Sequence, residues 1–204
     1  MVDLLVFIPA CFVLNLAFGP NNLLSVTYGA QQGVGFAVAA GTARLAAFAV
    51  MIALSALGLG ALLSVSAVAF TILKVVGALY LLYLGVRLLI GRSRVDDPAG
   101  AEPQTLRGAL RSEGLIALGN PKAILIFAAF FPQFVDVGHY WLSYLILATV
   151  FLILEVAAIL CYAVIGRLAG TFAATRLHWL RRASGAGMIT FGGLLLLAKN
   201  PAPA

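Results

Sequence analysis

The sequence predicts an all-α integral membrane protein with six transmembrane helices, and three observations predict it. Hydrophobic residues occupy 63% of the 204 positions and charged residues only 10%, whereas a soluble domain carries about 25% charged residues to wet its surface. Six apolar segments can be drawn, at roughly 4–28, 36–62, 67–90, 114–135, 141–165 and 183–198, each close to the ~20 residues a helix needs to cross a bilayer. Only one long polar stretch, 91–113, interrupts them, with Arg92, Arg94, Asp96, Asp97, Pro98, Pro103 and Arg107. That content suits a flexible loop ending in a short surface helix near Leu106–Arg111. The expected organisation is one transmembrane domain over 1–204, its halves 1–90 and 114–198 joined by the loop 91–113.

Segment one follows Met1-Val2-Asp3, which lacks a basic leader, so it reads as a retained helix rather than a cleaved signal. Gly19-Pro20-Asn21-Asn22 lies in its middle. A proline inside a helix removes a donor and clashes with the carbonyl four residues back, here Leu16. Hydrocarbon offers no water to repair the loss, so such a break persists only where protein or a polar cavity supplies partners. Segment two brings Ala39, Ala40, Gly41, Ala43 and Arg44, and segment three Lys74, Gly77 and Gly85. Segment four carries a near-echo of the first break, Gly119-Asn120-Pro121-Lys122, a hundred positions later. Segment five carries Glu155, and segment six Gly185, Gly187, Gly192 and Gly193. Small residues let helices approach closely in lipid, and such faces would also suit a homodimer. Tyr140 and Trp141 read as an interfacial belt. Cys11 and Cys161 read as buried free thiols, and neither their number nor their spacing makes a metal site.

Basic residues orient the bundle. Arg87, Arg92, Arg94, Arg107 and Arg111 follow segment three, and Arg167, Arg176, Arg181 and Arg182 follow segment five. With six segments both clusters fall on one side, the cytoplasmic side, which leaves both termini on the other. The net charge of +6 therefore reflects topology, and nucleic acid is excluded as a partner. Segments one and four then run in opposite directions. Two polar breaks at matching places on such helices are what an inverted three-plus-three repeat with a midplane site would show.

Arg44, Lys74, Lys122 and Glu155 are ionisable residues within apolar segments, each costing ~2.5–3.5 kcal/mol at a helix centre on insertion scales. Glu155 is the deepest. Burial disfavours its charged form, which makes it the candidate to exchange a proton, with a static salt bridge to Lys122 or Arg44 as the alternative. Arg44 is placed either to anchor a substrate carboxylate or to pair with Glu155. Lys122 either serves the site or reaches the headgroups from a helix that Asn120 caps and Pro121 begins. Lys74 snorkels outward. Asn21, Asn22 and Asn120 supply neutral donors and acceptors beside the breaks, a lining suited to a zwitterion; plain interhelical bonding is the alternative. His139 and His178 lie at segment ends. No HExxH, GxSxG or phosphate-binding loop is present, so no enzyme, metal or cofactor is expected.

Phe18-Gly19-Pro20-Asn21-Asn22, the run Phe70 to Gly85 with Lys74-Val75-Val76-Gly77-Ala78 at its centre, Gly119-Asn120-Pro121-Lys122-Ala123 and Phe131-Pro132-Gln133-Phe134-Val135 together resemble the LysE/RhtB family of bacterial amino-acid exporters. They occur in the family's order over nearly the whole chain. The resemblance implies a multi-pass inner-membrane exporter of amino acids or related small metabolites, working by proton antiport. The sequence departs from the family pattern at Gln31-Gln32, where many members look basic, and at Arg44-Leu45-Ala46, where many carry glycine and an acidic residue. The alternative expectation is a non-transporting membrane scaffold or assembly factor whose polar residues only join helices.

Overall fold

A computed structural model describes residues 2–65, 67–90, 104–169, 182, 185–190, 192–193 and 196–197. Every regular element among them is helical: α1 Leu4–Leu16, α2 Pro20–Gln32, α3 Val34–Val65, α4 Ala67–Ile90, α5 Leu106–Leu118, α6 Pro121–Leu125 with its irregular continuation to Phe134, and α7 Tyr140–Ala169. Residues 91–103 and parts of the sixth predicted segment lie outside the described residues, as do Arg176, His178 and Arg181 and the side chain of Lys74.

The apolar segments become helices, but two of them break. Asp3 caps α1, its carboxylate accepting from the Val6 N–H at 3.2 Å. The helix stops at Leu16, Ala17 turns extended, and Pro20 opens α2 at its first position. Proline is suited there because the first N–H groups of a helix are unpaired in any case. The expected kink within one helix is therefore a full break, the two axes differing by 64°. The same chemistry recurs downstream. Thr105 caps α5, Asn120 caps α6 by accepting the Lys122 N–H at 3.0 Å, and Pro121 takes the first position. The bend between α5 and the run Pro121–Phe134 is 46°. Both prolines begin helices. Neither flanking glycine is needed for space: a Cβ at Gly19 or Gly119 would meet nothing closer than 3.5 Å, and Gly19 at φ −155° is ordinary extended backbone.

Past Leu125 the α-helix widens into a π turn at Ile126–Phe130, then tightens to a 3-10 turn at Phe131–Phe134. Pro132 explains the change, since it lacks a donor and would clash with the carbonyl of Ala128 in a regular helix. The Phe131 N–H reaches instead to the Ile126 carbonyl, five residues back.

Where a loop to residue 113 was expected to end in a short surface helix near Leu106–Arg111, α5 runs from Leu106 to Leu118 and buries Ala109, Glu113 and Ala117 on one face. These lie four residues apart, the spacing that stacks side chains on one helix stripe. Among the described residues, Val34–Gly58 and Val137–Leu168 are long and apolar enough to cross a membrane, and each broken pair, α1 with α2 and α5 with α6, adds one span if counted together.

The bundle packs α2 against α7 and α3, and α3 against α5 and α7. Glycines permit the tightest of these approaches. A Cβ at Gly29 would fall 2.1 Å from the Ala163 carbonyl oxygen, and one at Gly166 would fall 2.1 Å from that of Val26. At the other end an aromatic core joins α1, α3, α6 and α7, with Phe7–Phe130 stacked at 5.5 Å between ring centroids and Phe127–Phe151 edge-on at 5.0 Å. Tyr144 belongs to this core, sharing a 3.3 Å hydrogen bond with Ser55, while the Tyr140 hydroxyl donates to the Ala56 carbonyl. The outside is apolar too: Leu54, Leu57, Trp141, Leu145 and Ile153 are exposed, as they must be on helices that face lipid. Cys11 is buried as expected, but Cys161 faces outward.

Gly29→Ala or Gly166→Ala forces backbone apart between α2 and α7. Overpacking costs about 1–3 kcal/mol where side chains yield, and backbone yields less. Thermal unfolding in detergent should therefore show a marked fall in Tm for either variant, and an unchanged Tm would mean the helices do not meet this closely.

Candidate functional site

The end of α1 leaves four carbonyls, Leu14 to Ala17, without helical partners, the general condition of a helix C-terminus. Away from water each must find a donor, and each does. The Asn22 side-chain amide donates to the carbonyls of Asn15 at 2.9 Å and Ala17 at 3.0 Å. The Tyr162 hydroxyl donates to Leu16 at 2.5 Å. The Lys122 ammonium donates to Ala17 at 2.8 Å and Leu14 at 3.3 Å, and the Ala17 N–H also reaches Leu14 at 3.2 Å. Lys122 therefore turns inward to the first break rather than out to the headgroups. The two breaks also touch directly, the Asn120 amide donating to Asn21 Oδ1 at 3.2 Å.

Beside the breaks sits Arg44, contributed by α3 and fully buried at 0% exposure. Six acceptors surround its five N–H groups. Glu113 takes two of them side-on, Nε donating to Oε2 at 2.9 Å and Nη2 to Oε1 at 2.8 Å. Nη1 donates to Glu155 Oε1 at 2.9 Å and to Asn22 Oδ1 at 3.2 Å. Nη2 also reaches the Asn21 carbonyl at 2.6 Å and Ser25 Oγ at 2.7 Å. Only a planar guanidinium offers such a fork to several acceptors at once. Asn21 in turn donates to Glu113 Oε2 at 2.9 Å and to its backbone carbonyl at 3.1 Å.

The network thus ties α2, α3, α5 and α7 together at one depth. Two cations, Arg44 and Lys122, stand against two carboxylates, Glu113 and Glu155, so the cluster is neutral when all four are ionised. That balance lets it exist in a low-dielectric setting where an unpaired charge costs several kcal/mol.

A small enclosed cavity adjoins it, lined by the polar side chains of Asn15, Asn21, Asn22, Asn120, Lys122 and Glu155, with Phe48, Ile126 and Phe151 forming an apolar wall. Its volume is about 10 Å³, the room of about one water molecule. An amino acid would need the surrounding groups to move. Asn15 Oδ1 is buried without a hydrogen-bond partner among the described residues, although its amide donates to the Phe151 carbonyl at 3.3 Å.

The polar and charged site residues expected from the sequence come together here. Asn21, Asn22, Asn120, Arg44, Lys122 and Glu155 join through the contacts above, and Gly19 lines the same cavity. Of the alternatives for Arg44 and Glu155, the direct pair is present at 2.9 Å, and Arg44 also donates to Asn22 Oδ1. His139 lies apart, exposed beside Asp136 at 3.4 Å.

Sequence reading missed Glu113, Ser25 and Tyr162. Glu113 was assigned to the polar loop, yet its side chain is 0% exposed. Two signals pointed to it: Ala109 and Ala117 one turn to either side, and three cations within apolar segments with only Glu155 to balance them.

The LysE type translocator family model matches residues 12–199. The chain belongs to the LysE type translocator family. It is 40% identical over 151 residues to an uncharacterised membrane protein of Pseudomonas aeruginosa, covering 68% of this chain and 70% of the relative. To the leucine efflux protein of an Enterobacter species it is 37% identical over 148 residues, covering 70% and 69%. To that of Salmonella typhimurium it is 35% identical over 157 residues, covering 76% and 72%. No solved structure gave a match. This LysE type translocator is thus a membrane transport protein whose polar cluster lies at the helix breaks.

In this translocator Arg44→Met strands two buried carboxylates at once. Losing one partner of a buried pair costs about 3–5 kcal/mol, so detergent melts should show severe destabilisation, relieved in part by adding Glu113→Gln. Arg44→Lys should rescue poorly, because an ammonium cannot span the same acceptors.

Proposed function

We propose that this chain exports a neutral amino acid of the leucine class from the bacterial cytoplasm by proton antiport, binding it at the helix breaks around Arg44, Asn21, Asn22 and Asn120. The observation that carries this reading is the buried Arg44 guanidinium beside an enclosed cavity whose walls are part amide, part aromatic and aliphatic. A guanidinium is a natural partner for the α-carboxylate, amide groups and free carbonyls suit the ammonium, and Phe48, Ile126 and Phe151 suit an aliphatic side chain. The two relatives named leucine efflux proteins support the same class.

Glu155 is the proton carrier in this reading. Glu113 is held by both oxygens and has no access to the cavity's lining, whereas Glu155 touches Arg44 through one oxygen and lines the cavity. A proton there changes the charge of the substrate site itself, so proton and substrate can exclude one another, as antiport requires.

The bundle is read as six spans in the inner membrane, with both termini outside. The broken pairs supply two spans, α3 and α7 two more, and the 24-residue α4 and the helical pieces between 185 and 197 the remaining two. The paired breaks, each with proline at the first position of its second helix, support an inverted repeat of the two halves.

Liposomes containing the protein and loaded with labelled leucine should lose label faster when the outside is acidified than protein-free liposomes do. Glu155→Gln should abolish the acid-driven part while leaving the protein folded. Acid-driven efflux that survives the substitution would remove Glu155 from the coupling, and no efflux of any neutral amino acid would remove the transport reading.

A further inference from the structure

We infer that Lys122 and Glu155 are built-in stand-ins for the substrate: the Lys122 ammonium occupies the ammonium subsite, and the Glu155 carboxylate occupies the carboxylate subsite on Arg44. The inference rests on the amino-acid exporter reading and adds an atomic location for the ammonium, which nothing in the sequence motifs assigns.

The ammonium subsite is the end of α1. The carbonyls of Leu14, in the last turn of α1, and of Ala17, its C-cap, receive the Lys122 Nζ at 3.3 and 2.8 Å. Helix C-terminal carbonyls carry partial negative charge and favour a cation. Asn15 Oδ1 is the separate sign that a donor belongs here, because Asn15 lines the cavity and its oxygen is buried with no hydrogen-bond partner among the described residues. Lys122 has three N–H donors, two of which meet the carbonyls of Leu14 and Ala17 beside this acceptor. Across the cavity, Glu155 Oε1 lies 2.9 Å from Arg44 Nη1, where a substrate carboxylate would bond, while Glu113 holds Nε and Nη2 in place.

The consequence is an exchange in which charges stay paired. A zwitterion sets its carboxylate on Arg44 Nη1 and its ammonium on the carbonyls of Leu14 and Ala17 and on Asn15 Oδ1. The displaced Lys122 and Glu155 line the same cavity and pair with each other. Moving these two side chains also opens space, which the volume of about 10 Å³ otherwise denies. Lys122 is then a competitor of the substrate. Removing it should tighten binding, the reverse of what a substrate-holding or merely structural lysine would show.

Calorimetric titration of the purified full chain and of Lys122→Met, with L-leucine and with isopentylamine (leucine without its carboxylate), tests this. The variant should bind leucine about tenfold more tightly or better, since no protein-held ammonium reduces the competent fraction, and should gain binding of isopentylamine that the parent lacks. A folded variant with no gain for the amine overturns the ammonium subsite, whichever way leucine moves. Equal or weaker leucine binding overturns the competitor role. Gain of the amine without binding of leucine or any other amino acid by either protein would sink the exporter reading and leave the subsite standing. Should Lys122→Met not fold, Lys122→Gln keeps uncharged N–H donors toward the carbonyls and is expected to shift both ligands in the same directions.

Discussion

Four backbone carbonyls at the end of α1 dictate much of what surrounds them. A helix that stops inside a bilayer cannot leave its last carbonyls to water, so donors must be brought from elsewhere in the chain. Here they come from Asn22 on α2, Lys122 on α6 and Tyr162 on α7. The break therefore recruits three other helical elements to one point, and the cost of irregular backbone becomes the reason the bundle converges there. A regular helix through residues 17–19 would have needed none of these partners.

Charge follows from the same requirement. Lys122 serves the carbonyls as a cation, Arg44 binds the carbonyl of Asn21 and the amide of Asn22, and two buried cations call for two carboxylates. Glu113 and Glu155 answer from different helices, α5 and α7, and hold the guanidinium from two sides. Their engagement is unequal: one carboxylate is fixed through both oxygens, and the other is fastened at one point beside the cavity. The glycine contacts between α2 and α7 complete the frame by setting how far Tyr162 and Glu155 stand from the break.

Much of this was legible in the sequence. The apolar segments at 36–62, 67–90 and 141–165 correspond closely to α3, α4 and α7, because a lipid-facing helix must be apolar over its whole length and composition alone reveals that. The two Gly/Pro/Asn motifs marked where the helices break and meet, since intramembrane proline and asparagine are expensive unless they serve one another. Two things were misread. Residues 106–111 were expected as a short surface helix closing a polar loop that ran to Glu113, because Arg107, Arg111 and Glu113 look polar in a linear reading, whereas the helix runs on to Leu118 with Arg107 and Arg111 exposed and Glu113 buried. Pro20 was taken for a kink, although proline fits the first turn of a new helix better than the middle of an old one.

The sequence by itself determined the solvent of this protein, the helical class, the places where helices must break and the family to which the chain belongs. Those are matters of composition and local chemistry, readable one segment at a time. Only the tertiary structure decided which buried charges meet, that Glu113 is one of them, and that Lys122 turns back to α1 instead of outward. Ion pairing joins residues 69 and 111 positions apart in the chain, and the lysine reaches carbonyls more than a hundred positions away. No periodicity or spacing encodes such partners; they are fixed by how the helices pack.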